Sequence, residues 1–185
     1  ARRTTALARQ CDRSRRMNAR QQAWNAALLA TPGELDLTVE KSRISGALPA
    51  ALIGGRVLSN GPGWTKIGDR VAHPFDGHGY VRAVSFEADG SVRLRARFVQ
   101  TPAYQAELAA GHLVHRGLGT NPSPHFWKNL FSGMSGRNVA NTTIPRWDGK
   151  LLAGWEGGAP FASGVLVVGG VEREVAVERV KRRHV

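Results

Sequence analysis

Cysteine, acidic residues and long apolar runs are all scarce in this chain of 185 residues. The single cysteine, Cys11, cannot form a disulfide within the chain, and cysteine usage gives no sign of dependence on an oxidising compartment. No run of about 18 apolar residues occurs, which excludes a membrane-spanning helix in this sequence. Acidic residues number 14 against 26 Lys and Arg, and this imbalance gives a net charge of +12.

The positive charge lies mainly at the two ends of the chain. Residues 1–20 carry seven Arg against one Asp, and residues 163–185 carry five basic against three acidic residues. The segment 21–162 has 14 basic and 10 acidic residues and is only mildly basic. A nucleic-acid-binding domain concentrates its basic residues on the folded part. The charge distribution therefore does not favour a nucleic-acid partner.

Composition divides the chain into three segments. Residues 1–20 are rich in Arg, Ser, Thr and Ala, and we expect a disordered basic segment with the composition of an organelle transit peptide. A plain basic tail, or translated sequence upstream of Met17, is the alternative interpretation. Residues 21–162 are expected to form the folded part, and residues 163–185 a basic tail.

Glycine is abundant, and its distribution predicts an all-β fold. The 22 glycines are nearly twice the usual share, and they separate short apolar runs as turns separate strands. The densest turn signal is Asn60-Gly61-Pro62-Gly63, after a stretch from Ile44 to Leu58 that reads as a loop leading into a strand. Helical patterns are short and cover Gln21–Ala30 and Thr101–Gly111.

Two hairpins are predicted. Tyr80–Phe86 alternates as a half-buried strand and Val92–Val99 returns after the turn at Asp89-Gly90. We expect three arginines of the returning strand to share a solvated face: Arg93, Arg95 and Arg97. Val139–Trp147 and Lys150–Trp155 form the second hairpin, about Asp148-Gly149.

Five motifs in a fixed order resemble the opening of the carotenoid cleavage oxygenases. They are Gly55–Trp64, His73–Tyr80, Phe98–Thr101, Asn138–Ile144 and Leu151–Phe161. Each motif alone is a weak signal, but five in order, spanning about Ile44 to Ala162, are a strong one. The chain departs from the family pattern at His78 and Tyr80, usually an acidic residue and a methionine, and at Gln100, usually an arginine. We expect these to be loop and surface positions.

The resemblance implies an all-β fold, the N-terminal portion of a seven-bladed β-propeller that is incomplete in this chain. Members of the family hold ferrous iron, Fe²⁺, with four histidines and use dioxygen to cleave a conjugated double bond of a carotenoid or apocarotenoid. The resemblance further implies an apolar tunnel, peripheral contact with a membrane, and a plastid location, with the cytoplasm as the alternative.

None of the six histidines falls where the family places an iron ligand, so we expect no catalytic residue, metal ligand or bound iron in this chain. His73 and His78 flank Asp76, and the three could be drawn as a metal cluster. An aspartate and two histidines at this spacing are also ordinary turn residues, which is the interpretation we expect. The remaining histidines are expected to be surface, packing or tail residues: His112, His115, His125 and His184.

Glu156 is the one residue to which the resemblance gives a role near the metal. In the family, the glutamate of this turn accepts a hydrogen bond from an iron-ligating imidazole and fixes its orientation. The alternative for Glu156 is a carboxylate at the end of a strand, in solvent.

The family pattern ends abruptly after Ala162, which favours a truncated or faulty gene model over a genuine short variant. The resulting fragment is expected to be inactive and poorly soluble, because strands near Val57 and Phe98 would lack partners. Two other functions stay open. One is a small basic β-domain that binds RNA or an acidic partner through the three arginines and the ends. The other is a truncated, non-catalytic paralogue that associates with a full-length enzyme.

Overall fold

The computed structural model describes residues 33–121, 137–147 and 150–163, together with four helical positions: Arg20, Gln22, Ala23 and Ala26. Residues 1–30 and 31–185 are separate compact units. Three of the four helical positions, Gln22, Ala23 and Ala26, fall within the helix predicted over Gln21–Ala30. The sequence expectations for Cys11, His125, His184 and the Asp148-Gly149 turn lie outside the described residues.

Four antiparallel strands form the first sheet. In chain order these strands are β1 (Leu35–Val39), β2 (Arg56–Pro62), β5 (Gly79–Phe86) and β6 (Val92–Phe98), and their spatial order is β1-β6-β5-β2. The predicted first hairpin is confirmed, with Tyr80 opposite Phe98 and Phe86 opposite Val92. A small ribbon made of β3 (Lys66–Ile67) and β4 (Arg70–Val71) lies between β2 and β5 in the chain.

Three expectations about this sheet were wrong. The Asn60–Gly63 segment is not only a turn, because β2 continues through Pro62 and pairs residue by residue with β5. The strand that ends at Phe98 does not lack partners, since β6 pairs with β5 on one side and with β1 on the other. The sequence reading also missed β1, whose alternating Leu and polar residues are weak evidence for a strand when the pattern covers only five positions.

The predicted face of arginines is partly exposed, but its members have binding partners that the sequence did not predict. The guanidinium of Arg93 binds both carboxylate oxygens of Asp36 at 2.9 Å, and Arg95 approaches the same carboxylate at 3.2 Å. The Arg93 hydrogen bond is the main reason that the pKa of Asp36 is lowered. Arg97 donates to the Leu35 carbonyl at 2.7 Å and pairs with Glu34 at 3.5 Å. The arginines therefore fasten β1 to the sheet instead of forming a bare cationic stripe.

Helix α1 (Pro102–Ala110) follows β6 directly and confirms the predicted short helix. The hydroxyl of Thr101 accepts a hydrogen bond from the Tyr104 N–H at 3.1 Å, as an N-cap residue does. Gly111 ends the helix with a positive φ of 68°, a conformation that glycine adopts without steric cost. These caps fix the helix against the end of the hairpin.

The second sheet has three strands: β7 (Arg146–Trp147), β8 (Lys150–Trp155) and β9 (Gly158–Ser163), in that order. The predicted pairing about residues 148–149 is confirmed only for Arg146 and Trp147. The stretch expected to be a strand from Val139 has instead an irregular backbone, with a single bridge between Thr143 and Gly154. Its backbone groups bind loops and side chains of the first sheet, as described below.

Two of the three apolar clusters in the described residues involve the first sheet. One joins the sheets through five buried residues: Val81, Val99, Ala140, Ala153 and Phe161. The other joins α1 to the first sheet through Tyr80, Ala96, Phe98 and Tyr104. Phe98 and Tyr104 stack with ring centroids 5.2 Å apart. Segment 137–143 thus lies between the two sheets, where its position depends on both.

One row of the first sheet leaves apolar side chains exposed. Leu37, Leu94, Val84 and Val57 lie opposite one another across all four strands, and the two outer members are among the exposed large apolar residues. This exposure is consistent with the expectation of poor solubility, which stays a prediction. Within the described residues, no helix is long and apolar enough to cross a membrane.

Candidate functional site

The loop between β4 and β5 is anchored by a buried aspartate. Asp76 ends a 3-10 turn (Pro74–Asp76) and accepts hydrogen bonds from the N–H groups of Leu118 and Gly119 at 2.8 and 2.9 Å. It also accepts one from the Thr120 hydroxyl at 2.7 Å. Both carboxylate oxygens are thereby used, so Asp76 fastens two loops together and does not join His78 in a metal cluster.

His78 is a buried residue, and the expectation of a loop and surface position was wrong. His78 and Glu107 are 0% exposed and Arg137 is 2% exposed. The Nε2 atom of His78 lies 2.7 Å from Oε2 of Glu107, and Nη2 of Arg137 lies 2.6 Å from the same oxygen. We call these three residues the buried charge cluster. It joins the start of β5, helix α1 and segment 137–143.

The protonation states of the buried charge cluster follow from its partners. Hydrogen bonds and the Arg137 charge overcome the effect of burial and lower the pKa of Glu107 to about 2, so this carboxylate is ionised. An ionised oxygen at 2.7 Å requires a donor, which places the His78 proton on Nε2. Burial is the main cause that lowers the pKa of His78. The cluster therefore holds one carboxylate, one guanidinium and one neutral imidazole.

Sequence analysis missed Glu107 and Arg137. Glu107 lies on the face of α1 that also carries the buried residues Ala103 and Tyr104. A carboxylate on an otherwise apolar helix face, at i+3 from an aromatic residue, is a signal that could have pointed to a buried ion pair. No comparable signal marks Arg137, whose burial depends on contacts distant in sequence.

Tyr80 is also buried, and its assignment to a surface position was wrong. Its hydroxyl donates to the Gly33 carbonyl at 2.5 Å, and its ring lies 4.7 Å from that of Phe98. A buried tyrosine usually finds a partner for its hydroxyl in this way. Tyr80 is thus part of the core that supports β5 beside His78.

Segment 137–143 is held by its asparagines and by close backbone contact. Asn141 donates from Nδ2 to the carbonyls of Phe75 and Gly77 at 2.9 and 2.7 Å, and Asn138 donates to the Ala159 carbonyl at 2.9 Å. The Gly79 N–H donates to the Val139 carbonyl at 2.7 Å. A Cβ on Gly79 would overlap the carbonyls of this segment, so glycine permits the approach.

Glu156 lies in the turn between β8 and β9, and its side chain is exposed. The hydroxyl of Thr142 donates to Oε2 of Glu156 at 3.1 Å. The backbone of Thr142 is itself fixed, since its N–H donates to the Gly154 carbonyl at 3.0 Å. Within the described part of the chain, Oε1 of Glu156 has no hydrogen-bond partner. We call Thr142 and Glu156 the open corner.

An exposed aromatic side chain belongs to the same loop assembly. Phe75 is 69% exposed, and its carbonyl accepts the hydrogen bond from Asn141, the residue next to Thr142. Leu118, on the neighbouring loop that Asp76 holds, is 74% exposed. The two loops that Asp76 joins thus each carry a large apolar side chain that is exposed in the described part of the chain.

Comparison with known proteins decides the family. The model of the family described as retinal pigment epithelial membrane protein, the carotenoid cleavage oxygenases, matches residues 29–163. The chain belongs to this family. The resemblance read from the five motifs is thereby confirmed.

Relatives among curated proteins and solved structures agree with this assignment. The chain is 41% identical over 141 residues to the apocarotenoid-15,15'-oxygenase of a Synechocystis species, covering 75% of this chain and 28% of the relative. It is 35% identical over 131 residues to the chloroplastic carotenoid cleavage dioxygenase 7 of Oryza sativa subsp. japonica, covering 63% of this chain and 20% of that protein.

The fold is matched by the crystal structure of cobalt-substituted Synechocystis apocarotenoid oxygenase, with a TM-score of 0.69 and 39% identity. That match covers 76% of this chain and 29% of the other. The expectation of an all-β, partial propeller is confirmed by this likeness together with the two sheets described above. The chain thus spans less than a third of the length of these carotenoid oxygenases.

The described part of this family member does not itself assemble an iron site. In residues 33–121, 137–147 and 150–163, no three side chains of His, Cys, Asp or Glu converge as metal ligands. His78 is occupied by Glu107, and His73 accepts the Phe75 N–H at its own turn. His112 is exposed, and His115 contributes its backbone N–H to Glu107. These residues therefore do not fit the iron that the family implies.

Proposed function

We propose that this chain is the N-terminal part of a non-haem iron(II) oxygenase that uses dioxygen to cleave a conjugated double bond of a carotenoid or apocarotenoid. The observation that carries the proposal is the family match over residues 29–163. Relatives named as an apocarotenoid oxygenase and a carotenoid cleavage dioxygenase support the substrate class. By itself, the 185-residue chain is expected to be inactive.

The open corner is proposed to serve the metal indirectly. Glu156 is exposed and Thr142 binds only one of its carboxylate oxygens among the described residues. The other oxygen is available to accept the N–H of an imidazole contributed by the remainder of a full-length protein. Carboxylates in this position orient metal-bound histidines and raise their basicity. Thr142 in turn holds the carboxylate in one orientation.

Iron would be held by histidines outside the described residues, and its chemistry would be the activation of dioxygen. Towards the iron, the described side chains would contribute positioning alone. Segment 137–143 brings Thr142 to Glu156, and the buried charge cluster fixes the beginning of that segment.

Exposed apolar side chains support the proposed contact with a polyene. Phe75 and Leu118 lie on loops that Asp76 and Asn141 hold in place, so an apolar substrate would meet a rigid surface. Peripheral contact with a membrane, from which such a substrate is taken, belongs to the same proposal.

A plastid location is proposed on two grounds. Residues 1–20 have the composition of a transit peptide, and the relatives from Oryza sativa and Arabidopsis thaliana are named as chloroplastic. Imaging a full-length protein fused to a fluorescent protein at its C-terminus would test this. Fluorescence confined to the cytoplasm would exclude the plastid.

The experiment that tests the function uses a full-length form, iron, dioxygen and an apocarotenal substrate. Cleavage products identified by mass spectrometry are expected, and an intact polyene after prolonged incubation of iron-loaded protein would overturn the proposal. Glu156→Gln is expected to lower iron content or turnover by about tenfold or more. Glu87→Gln, an exposed carboxylate on the first hairpin, is the matched control and should change neither.

A further inference from the structure

The buried charge cluster contains atoms that its hydrogen bonds leave unused. Three side chains from three different elements converge on one carboxylate oxygen, Oε2 of Glu107. Among the described residues, Nδ1 of His78 and both Nε and Nη1 of Arg137 have no hydrogen-bond partner. Unpaired polar atoms in a dry interior are costly. Any further proton added to the cluster would therefore add another buried donor without an acceptor.

Protonation of His78 would disturb this arrangement on two sides. Because Nε2 already carries the proton that Glu107 accepts, a second proton must be added at Nδ1, which faces no acceptor among the described residues. The new positive charge would also lie beside Nη2 of Arg137, which is only 3.0 Å from Nε2. Both effects disfavour the imidazolium in the folded state.

The remaining surroundings of His78 do not offset these effects. From α1 it faces Glu107 and Tyr104, and the edge of the Tyr104 ring lies against the imidazole with centroids 5.3 Å apart. From the ribbon side it faces the uncharged ring of Trp64 at 5.6 Å. His115, in the loop after α1, adds a further repulsion when protonated. Glu107 is thus the one anion that faces His78 in the described part, and Arg137 shares it.

The backbone on either side of His78 holds segment 137–143. Gly77 accepts a hydrogen bond from Asn141, and Gly79 donates one to Val139. Arg137 starts this segment, and Thr142 near its end binds Glu156. These contacts connect His78 to Thr142 through a few residues.

We propose that His78, Glu107 and Arg137 form a pH-sensitive clamp, which fixes segment 137–143 to the start of β5 while His78 is neutral and loosens it when His78 is protonated. The clamp itself rests on the contacts above. Its consequence for iron chemistry, loss of alignment between Thr142 and Glu156 in acid, rests on the proposed function.

The sign of the pH dependence is fixed by the direction of the shift. Burial lowers the pKa of His78, so the unfolded or opened chain binds the proton more readily than the closed one. The clamp is therefore at full strength above the usual histidine value, about 6.5, and weakens as pH falls below it. Loss due to Glu107 begins only below its ordinary value of 4.5 and extends to about 2. Between about pH 6.5 and 4.5, His78 is therefore the one of these two groups that weakens the clamp.

The first test measures hydrogen exchange of the Gly79 amide in the 185-residue chain between pH 7.5 and 5. Below the ordinary histidine pKa of about 6.5, the protection factor of this amide is expected to fall with pH. The fall should be no steeper than about tenfold per pH unit. His78→Gln keeps a side-chain N–H for Glu107 but cannot titrate, and it should remove the pH dependence. His112→Gln removes an exposed histidine and should leave the dependence intact. Equal pH dependence in the His78→Gln variant would overturn the clamp.

A second measurement needs no variant. Nuclear magnetic resonance of the wild-type chain with labelled histidine rings should show His78 still neutral at a pH where free histidine is protonated. Titration of His78 as in free histidine, at constant Gly79 protection, would refute the proposal even if His78→Gln does not fold. Neither experiment uses iron or substrate. Failure of the clamp therefore leaves the oxygenase proposal standing, and failure of that proposal leaves the clamp to be judged by exchange and titration.

Discussion

The buried charge cluster and the open corner lie at opposite ends of one short segment, and they use polar side chains in opposite ways. At Arg137, the guanidinium is enclosed and shares the Glu107 carboxylate with His78. At Thr142, a single hydrogen bond reaches a carboxylate that is otherwise exposed.

This contrast distinguishes polar groups that stabilise the fold from polar groups that can still bind a ligand. A buried ion pair costs much to break, because removing one partner leaves the other charge buried and uncompensated. An exposed carboxylate held by one hydroxyl contributes little to folding but has an oxygen to offer. The structure therefore assigns stability to the first group, and we propose reactivity for the second. The predictions below test that division.

The largest effect is expected from Glu107→Gln. The change leaves the buried guanidinium of Arg137 without its anion, and we expect the free energy of unfolding to fall by about 3 kcal/mol. Urea unfolding of the 185-residue chain measures this. Glu87→Gln, an exposed carboxylate, should cost less than about 0.5 kcal/mol. If Glu107→Gln lowered the free energy of unfolding as little as the control does, the buried charge cluster would contribute no more to folding than an exposed carboxylate.

Gly79→Ala should have the next largest effect. The added Cβ would overlap the carbonyls of Val139 and Ala140, so β5 or segment 137–143 must move. We expect a loss of about 2 kcal/mol in the same unfolding experiment. Gly61→Ala is the control within a strand, because its Cβ would meet only the flexible end of Arg82 at 3.3 Å. Equal tolerance at both positions would show that the close approach is unimportant.

Acid should weaken the Glu107 interactions in a predictable window. The pKa of Glu107 is lowered to about 2, so its contribution is complete above the ordinary value of 4.5 and is lost as pH falls towards 2. The unfolding free energy of the wild-type chain should therefore fall through this range more steeply than that of Glu107→Gln. Parallel curves for the two proteins would contradict the assigned ionisation.

The smallest effect on folding is expected at the open corner. Thr142→Val removes the hydroxyl that binds Glu156, and Glu156→Gln removes the negative charge of the carboxylate. Both residues are exposed to solvent. Each change should alter the free energy of unfolding of the chain by no more than about 0.5 kcal/mol. A loss above about 2 kcal/mol for either variant would mean that the corner supports the fold, against the proposed division.

The sequence was sufficient where local patterns decide the structure. Alternation predicted the hairpin of Tyr80–Phe86 and Val92–Val99, and Pro102 with Gly111 marked both ends of α1. It failed at His78, because the partners that bury this residue lie 29 and 59 positions away in Glu107 and Arg137. A histidine between two glycines reads as a turn until those contacts are known.

The same limit explains the other errors. Asn60-Gly61-Pro62-Gly63 has the composition of a turn, yet β5 pairs with it as far as Pro62 and keeps it extended. Segment 137–143 has apolar residues suited to a strand, but side chains such as Asn138 and Asn141 bind distant carbonyls and hold it irregular. Glu156 could be singled out because its turn belongs to a family motif, not because its chemistry is visible in one sequence.

The most direct test of the division measures folding and reaction together in a full-length form carrying Glu156→Gln. We predict a melting temperature within about 2 °C of wild type, with turnover of an apocarotenal reduced about tenfold or more at equal protein concentration. A melting temperature lowered by many degrees, with unchanged turnover per folded molecule, would contradict the account and make Glu156 a structural residue like Glu107.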